Sequence, residues 1–205
     1  MYITKPIYVS QAVIKQDITF SNQDEVSLKN KVVFIGSFDH FPNRDGVVWF
    51  LENCWQIIIA AKPDIQFDII GTGWTFENLN ISKPESSQIT CKGFVDNLYE
   101  AIHGCVMIVP IRIGSGMRMK ILDGISYGCP IVTTTIGTEG IELTSNTNCF
   151  IEDKAKDFAR AIICLLENKN LAKSFLQNMK KIPSFQNQDV LIGKRLKIYA
   201  GLINN

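Results

Sequence analysis

Six short apolar runs alternate with helix-like segments from Lys31 onward, and this alternation constrains the fold more than any other feature. In chain order the runs are KVVFIGS, QFDIIG, ITCKG, VMIVP, PIVTTT and NCFIED. Strands that are apolar on both faces are typical of parallel sheets covered by helices on both sides. The sequence therefore predicts an α/β fold. We expect a Rossmann-like doubly wound parallel sheet of about six strands, with a helical C-terminal tail that starts near Lys154.

The segments between these runs have helical periodicity and helix-end signals. Four helices are expected before the tail: 43–61, a short one after Gly71–Gly73, 95–104 and 117–128. Asp96 is the expected N-cap of the third, and Gly128 is placed to end the fourth in a left-handed turn. The tail predicts two or three further helices.

The chain divides into a short leading segment and one domain. Residues 1–30 are mixed, with the polar stretch FSNQDEVSLKN, and are interpreted as a linker. Residues 31–205 form the predicted domain. Of the 205 residues in the chain, 46% are hydrophobic, so one sizeable core can be buried.

Charge and cysteine content exclude several classes of protein. A net charge of +1 argues against nucleic-acid binding through a broad basic surface. None of the six cysteines forms a CxxC or CxxH pair, so we predict reduced thiols and no metal site. No apolar stretch reaches the roughly 18–20 residues of a membrane span, and the start lacks the order of a secretory signal. We expect a soluble cytoplasmic protein.

Ligands of doubly wound sheets bind beyond the carboxyl ends of the strands, where the strand order reverses. For the order 3-2-1-4-5-6 this point lies between strands one and four, which are followed by GSFDHFPN and PIRIGSGM. The second loop suits an anion, because Gly114 and Gly116 expose backbone amides at a helix N-terminus. Arg118 and Lys120 add full positive charge nearby. A glycine-rich turn with two solvated cations is the alternative that these residues leave open.

Other nucleotide-binding motifs are missing. The turn Gly71–Gly73 is not followed by the rest of a GxGxxG pattern, and no acidic residue ends the next strand, which disfavours NAD. The chain has no GxxxxGK[ST], which excludes a P-loop.

The run PIRIGSGMRMKILDGISYGCPIVTTTIGTEG resembles the signature of family 4-like (group 1) glycosyltransferases of the GT-B architecture. FIGSFDHFPNRDGVVWFL, DIIGTG and ITCKGFVDNLYEAIHGCVMIVP fall in that family's order and spacing. The resemblance implies the C-terminal, donor-binding domain of such an enzyme. These enzymes transfer a sugar from a nucleotide diphosphate donor to an acceptor, usually with retention, so the donor is a substrate and no cofactor is implied. The expected acceptor is a glycan or a lipid-linked acceptor.

The resemblance also implies roles for individual residues. The residues expected to bind the diphosphate are Gly36, Ser37, Gly114, Ser115, Gly116, Arg118 and Lys120. Asp123 stands where the family has the second glutamate of an E-x7-E motif, which binds the donor ribose. The loop Gly93-Phe94-Val95 would flank the nucleobase. His40 and Glu139 are further candidates at the cleft, against the competing interpretations of a surface histidine and a helix-capping acid.

The chain departs from the family pattern in three ways. Ser115 occupies the place of the first glutamate of E-x7-E, so no catalytic residue is assigned. The usual arginine–lysine pair after strand one is missing, and Asp39 and Asn43 lie near those places. The acceptor-binding domain is expected to be absent, which predicts a separate acceptor-binding chain as a partner.

Three alternatives and one further contact stay open at this point. The chain could instead be a truncated, non-catalytic relic that at most binds nucleotides, or an unrelated flavodoxin-like or receiver-like domain. Lysines of the tail could meet an anionic membrane at its inner face, although a solvated face is the competing interpretation. These lysines are Lys169, Lys173, Lys180, Lys181, Lys194 and Lys197.

Overall fold

The computed structural model describes residues 27–80 and 87–182, and these residues form an α/β fold with a parallel six-stranded sheet. The strands are β1 (Lys31–Ile35), β2 (Gln66–Ile70), β3 (Ile89–Gly93), β4 (Val106–Val109), β5 (Ile131–Thr133) and β6 (Phe150–Ile151). Their spatial order is β3-β2-β1-β4-β5-β6, and neighbouring strands pair in parallel. The predicted doubly wound sheet is confirmed. Its order also excludes the flavodoxin-like arrangement 2-1-3-4-5.

Helices connect and cover the strands. They are α1 (Phe41–Phe50), α2 (Gln56–Ala61), α3 (Leu98–Ile102), α4 (Met119–Ser126), α5 (Ala155–Glu167) and α6 (Lys169–Met179). A π-helical segment, Leu51–Trp55, joins α1 to α2, so the long helix predicted over 43–61 contains one wide turn. It begins at Phe41, because Pro42 is accommodated in a first helical turn.

The predicted short helix after Gly73 is wrong for the residues described, since 74–75 are irregular and 76–80 form turns. Trp74 accounts for the missing helix, because its side chain is buried and its indole N–H donates to the carbonyl oxygen of Gly36 at 2.6 Å. The amide of Asn78 also donates back to the carbonyl oxygen of Gly73 at 3.0 Å. The first bond holds this segment against the loop that follows β1, and the second closes a turn within the segment itself.

The expected cap of the third helix is also wrong. Asn97, not Asp96, is the N-cap of α3, and its side-chain oxygen accepts from the backbone N–H of Glu100 at 3.2 Å. Both residue types are good caps, so the sequence could not separate neighbours. Gly128 has φ +72°, as predicted for the end of α4.

The core is built around the central strands, with β4 fully buried along its length. Helix α1 lies so close to the end of this strand that a side chain at Gly46 would collide with the backbone oxygen of Pro110. A glycine inside a helix is unfavourable by itself, so close packing is the reason for it here. This packing brings the N-terminus of α1 next to the loop after β4.

The tail contributes α5 and α6, as predicted, and residues after 182 lie outside the described part. Lys194 and Lys197 are therefore not placed, and neither are residues 1–26 of the predicted linker. The six cysteines form no disulfide with one another. Within the described ranges, none of the helices combines the length and apolar character that a membrane crossing requires. The same residues contain no group of three His, Cys, Asp or Glu side chains suited to a metal ion.

Candidate functional site

Two loops lie side by side at the carboxyl edge of the sheet. One follows β1 and runs from Gly36 to His40, here called the first loop. The other includes Gly114–Gly116 after β4, here called the glycine loop. Since β1 pairs with β4, the two loops are neighbours, as the strand order predicted. The space between the two loops at this edge is here called the cleft.

The first loop is fixed by hydrogen bonds from three directions. The amide nitrogen of Asn43, on α1, donates to the carbonyl oxygen of Ser37 at 2.9 Å. Trp74 donates to Gly36, and the hydroxyl of Thr72 donates to the hydroxyl of Ser37 at 3.3 Å. Gly36 has φ +151° and is crowded, since a Cβ there would lie 2.5 Å from the Asn43 amide nitrogen. The predicted pair Gly36 and Ser37 therefore forms a rigid wall.

The glycine loop depends on left-handed backbone. Gly114 has φ +97° and Gly116 has φ +90°, and a Cβ on Gly116 would meet no atom within 4 Å. The loop is exposed, and Arg118 is the N-cap residue of α4, which it leads into. Open space beside backbone amides at a helix N-terminus is an arrangement that can receive an anion.

Arg118 lies across this loop with unused hydrogen-bonding capacity. One terminal nitrogen donates to the carbonyl oxygen of Ser115 at 2.9 Å. The Nε and the other terminal nitrogen are buried and have no hydrogen-bond partner among the residues described. Arg118 also forms no ion pair with a carboxylate in this part of the chain. Burying donor groups of a charged side chain without a partner is costly, so the arrangement favours an incoming anion.

Lys120 faces the same cleft from the first turn of α4. Its ammonium nitrogen donates to the side-chain oxygen of Asn43 at 2.7 Å and lies 4.1 Å from the centre of the Phe34 ring. Burial, and secondly the charge of Arg118, lower the pKa of Lys120 to about 7. No carboxylate within the described ranges pairs with it. An anion between the two cations would offset both effects.

Glu139 contacts the glycine loop directly. Its carboxylate accepts from the backbone N–H of Gly116 at 3.0 Å. The residue directly follows a short 3₁₀ helix, Ile136–Thr138, after β5. The structure thus brings Glu139 to the cleft. Because Gly116 lies two residues before the N-cap of α4, this contact fits both a cleft residue and a helix-capping acid.

Asp123 lies on α4, one turn beyond Lys120. Its carboxylate is half-buried and accepts no hydrogen bond from the described residues. Burial raises the pKa of Asp123. An acceptor group in this state is suited to a hydroxyl donor, which is consistent with the ribose role that the resemblance implies, and that role stays a prediction.

The remaining predicted residues are placed less closely. Gly93 has φ +66°, and its carbonyl oxygen accepts from Gly71 at 2.8 Å, which ties the loop after β3 to the loop after β2. Phe94 is 78% exposed, whereas Val95 packs against the core. His40 is the N-cap residue of α1, exposed, without a side-chain cap bond. No hydrogen bond or ring contact in the described ranges joins Phe94 or His40 to the two cations.

Two structural supports of the cleft were missed from the sequence. Arg112 forms a two-pronged contact with Asp45, at 2.7 and 3.0 Å, which ties the strand-four loop to α1. Thr134 donates to the carbonyl oxygen of Ile111 and accepts from Gly137 at 3.0 Å. The arginine in PIRIGSG was a visible signal, but its partner lies 67 residues away. Asn43 is a further support, and the sequence placed it only near the position of the missing arginine–lysine pair.

The strand order and the two loops at the switch point define a doubly wound α/β domain of the Rossmann-like type. The family described as "Glycosyl transferases group 1" matches residues 29–168, and the chain belongs to that family. Its described residues have the fold of the C-terminal domain of GT-B enzymes. The resemblance to group 1 glycosyltransferases seen in the sequence is therefore confirmed.

The chain is also similar to individual proteins, and the solved structures among them share its fold. The chain is 28% identical over 155 residues to an uncharacterized 44.6 kDa protein in the cps region of Klebsiella pneumoniae, covering 71% of this chain and 39% of that protein. Among solved structures it resembles S. aureus TarM (TM-score 0.69, 16% identity, 86% of this chain and 36% of that one). It also resembles Anabaena Alr3699/HepE in complex with UDP-glucose (TM-score 0.65, 13% identity, 86% and 49%). The chain thus spans about two fifths of the length of the curated relative that it matches.

Proposed function

We propose that this chain binds a nucleotide diphosphate sugar, with UDP as the nucleotide, in the cleft between the first loop and the glycine loop. It then serves as the donor-binding half of a retaining glycosyltransferase. Membership in the family supports sugar transfer, and the UDP-bound TarM and the UDP-glucose-bound HepE support the choice of nucleotide. The cleft's chemistry supports the diphosphate.

The observation that carries the proposal is the state of Arg118. Two of its nitrogens are buried without a partner, next to the amides of the glycine loop and to a second unpaired cation, Lys120. A planar guanidinium matches two phosphate oxygens at once, while an ammonium acts as a point charge. A diphosphate would accept from the free nitrogens of Arg118 and balance the charge of both groups, whereas a neutral ligand could not balance that charge.

This arrangement serves the departing group of a transfer reaction. The bond between the sugar's anomeric carbon and the diphosphate oxygen breaks, and the acceptor's hydroxyl oxygen bonds to that carbon. Negative charge therefore grows on the diphosphate, where Arg118 and Lys120 stabilise it most in the transition state. The hydroxyl proton leaves with the diphosphate, so the atoms balance. Asp123 is proposed to hold the ribose, and the loop Gly93-Phe94-Val95 to flank the base.

The acceptor, whether a glycan or lipid-linked, needs a surface opposite this cleft. We propose that an acceptor-binding domain packs across it, and that the isolated residues 1–205 transfer sugar weakly or not at all without that domain. Adding a separately produced acceptor domain should restore transfer. Strong transfer by these residues alone would contradict the proposed division of labour.

Titration calorimetry of the chain with UDP, GDP, ADP and UDP-glucose tests the binding proposal. We expect UDP and UDP-glucose to bind at micromolar to submillimolar concentration, and the other bases more weakly. A matched pair of variants localises the site: Arg118→Met should weaken UDP binding by at least about tenfold, while Arg160→Met, on the exposed face of α5, should not alter it. Absence of UDP binding at millimolar ligand would favour the alternative, a non-catalytic relic.

A further inference from the structure

Asn43 connects the two walls of the cleft through one side chain. Its amide nitrogen donates to the carbonyl oxygen of Ser37 in the first loop, at 2.9 Å. Its amide oxygen accepts from the ammonium of Lys120, on α4, at 2.7 Å. The residue is buried, 7% exposed, and lies in the first turn of α1. Both ends of the amide are thus used, each in the only direction its chemistry allows.

The lysine has little freedom once this contact is made. Its ammonium lies above the Phe34 ring, 4.1 Å from the ring centre, which is a favourable position for a cation. A Cβ on Gly36 would lie 2.8 Å from the same nitrogen, so the first loop closes the space on a further side. A lysine side chain otherwise has four rotatable bonds and high rotamer entropy. The neighbours of Lys120 therefore place its charge before any ligand arrives.

The other charged group that faces this ammonium is a cation. Arg118, from the start of the same helix, repels it, and the described part of α1, β1 and the first loop contributes no carboxylate to it. The neutral oxygen of Asn43 is thus the hydrogen-bond acceptor that holds the ammonium in the cleft. A carboxylate at this position would hold Lys120 more tightly, but it would also cancel the charge that an anion needs.

We infer that Asn43 is a positioning residue, which sets the place of the Lys120 ammonium for an anionic ligand while leaving its charge available. The inference rests on the proposed function in one respect, since it takes that anion to be the donor diphosphate. Asn43 itself need not touch the ligand. Its effect is to spare Lys120 the entropy loss of ordering on binding, which is the usual benefit of preorganisation.

A double-mutant cycle with UDP as the probe tests this role. We expect Asn43→Leu to weaken UDP binding about tenfold in the wild-type background, since one lost charge-assisted contact corresponds to about that factor. In a Lys120→Met background, Asn43→Leu should weaken binding by less than about twofold, because the residue it positions is gone. Equal losses in both backgrounds would show a structural role only, and no loss in the wild type would also overturn the inference.

Asn53→Leu is the matched control for folding and for the loss of a helix asparagine. Asn53 is exposed, lies on the π-helical segment, and donates to the backbone oxygen of Trp49 at 2.9 Å. It should leave UDP affinity unchanged. Thermal unfolding of each variant separates lost affinity from lost structure, because a preorganisation effect persists at temperatures where every variant is fully folded.

A ligand-free measurement separates this inference from the proposed function. Asn43→Asp should raise the pKa of the Lys120 ammonium by about one unit or more, as an opposite charge in contact does. Carbon-13 NMR of the labelled lysine side chains during a pH titration measures this directly. An unchanged Lys120 pKa would mean that residue 43 does not contact the ammonium, and would overturn the inference. If the pKa rises but the wild type binds no UDP, the proposed function fails and the contact stands.

Discussion

The carboxylate of Glu139 accepts a hydrogen bond from the backbone N–H of Gly116 at 3.0 Å, so an acid from the loop after β5 caps the glycine loop after β4. One amide of that loop is therefore already satisfied by the protein, whereas two nitrogens of the Arg118 guanidinium are not. The loop has an acidic side and a basic side. A diphosphate bound at the basic side would meet repulsion from Glu139.

Glu139→Gln should therefore strengthen UDP binding about two- to fivefold, because a like charge near the diphosphate is removed while an acceptor for Gly116 remains. Calorimetry at low ionic strength measures the change, since salt screens this exposed charge. Glu100→Gln, on the exposed face of α3, is the control and should change nothing. Identical affinities for Glu139→Gln and the wild type would place the diphosphate away from Gly116.

Arg118→Met should lower the affinity for UDP and raise the stability of the ligand-free protein. UDP affinity should fall by at least about tenfold, because a charge-assisted contact is lost. The ligand-free protein should gain about 1 kcal/mol of unfolding free energy, because buried nitrogens without partners are removed. Calorimetry and urea unfolding measure the two effects.

Arg112→Met is the contrasting variant for this prediction. Arg112 pairs with Asp45 and lies 5.5 Å above the Trp49 ring, so its replacement should lower stability. A loss of stability in Arg118→Met as large as that in Arg112→Met would mean that Arg118 is structural.

The pKa of Lys120, lowered to about 7, predicts a pH dependence of stability. The unfolded chain binds a proton at this lysine up to about pH 10.4, whereas the folded chain releases it near pH 7. Between these values the unfolded state binds more protons, so stability rises with pH. Below about pH 7 the charged lysine carries its full burial cost.

Lys120→Met should thus stabilise the ligand-free protein by about 2 kcal/mol at pH 6, and the gain should shrink toward pH 10. Urea unfolding at several pH values measures it, with Lys169→Met, on an exposed lysine of α6, as the control. A gain that is the same at pH 6 and pH 9 would contradict a lowered pKa.

The fold was predictable because its signal is local. Each apolar run, such as VMIVP, carries the both-faces-buried pattern within five residues, and chain order plus the known switch-point rule gave the neighbours β1 and β4. The helix after Gly73 failed for the opposite reason. Trp74 reaches Gly36 across the sheet edge, and a contact between residues 38 positions apart leaves no periodic mark in the sequence.

The candidate site was likewise predictable only where its signal is local. The glycines of the loop and the two cations that follow, Gly114 to Lys120, were visible in the sequence as a candidate anion site. The contact of Glu139 with Gly116 and the bridge of Asn43 to Lys120 were not, because they join segments 23 and 77 residues apart. Electrostatic details of a cleft depend on such pairs, which only the folded chain brings together.

Gly36→Ala tests whether the geometry of the first loop matters as much as its chemistry. Gly36 has φ +151°, and an added Cβ would lie 2.5 Å from the amide nitrogen of Asn43 and 2.8 Å from the ammonium of Lys120. The substitution should cost about 2–3 kcal/mol of unfolding free energy, from strained backbone together with overpacking. It should also displace Lys120 and so lower UDP affinity in the protein that remains folded.

Gly93→Ala is the matched control for the stability part of this prediction. Gly93 also has positive φ, +66°, but a Cβ there would meet no atom within 4 Å. It should therefore lose about 1 kcal/mol from left-handed backbone alone, so the difference between the two variants reports the crowding at Gly36 together with its less tolerated φ. Urea unfolding of both proteins gives that difference. Equal losses would mean that Asn43 and Lys120 move aside without cost, which would also remove the basis for a preset ammonium in the cleft.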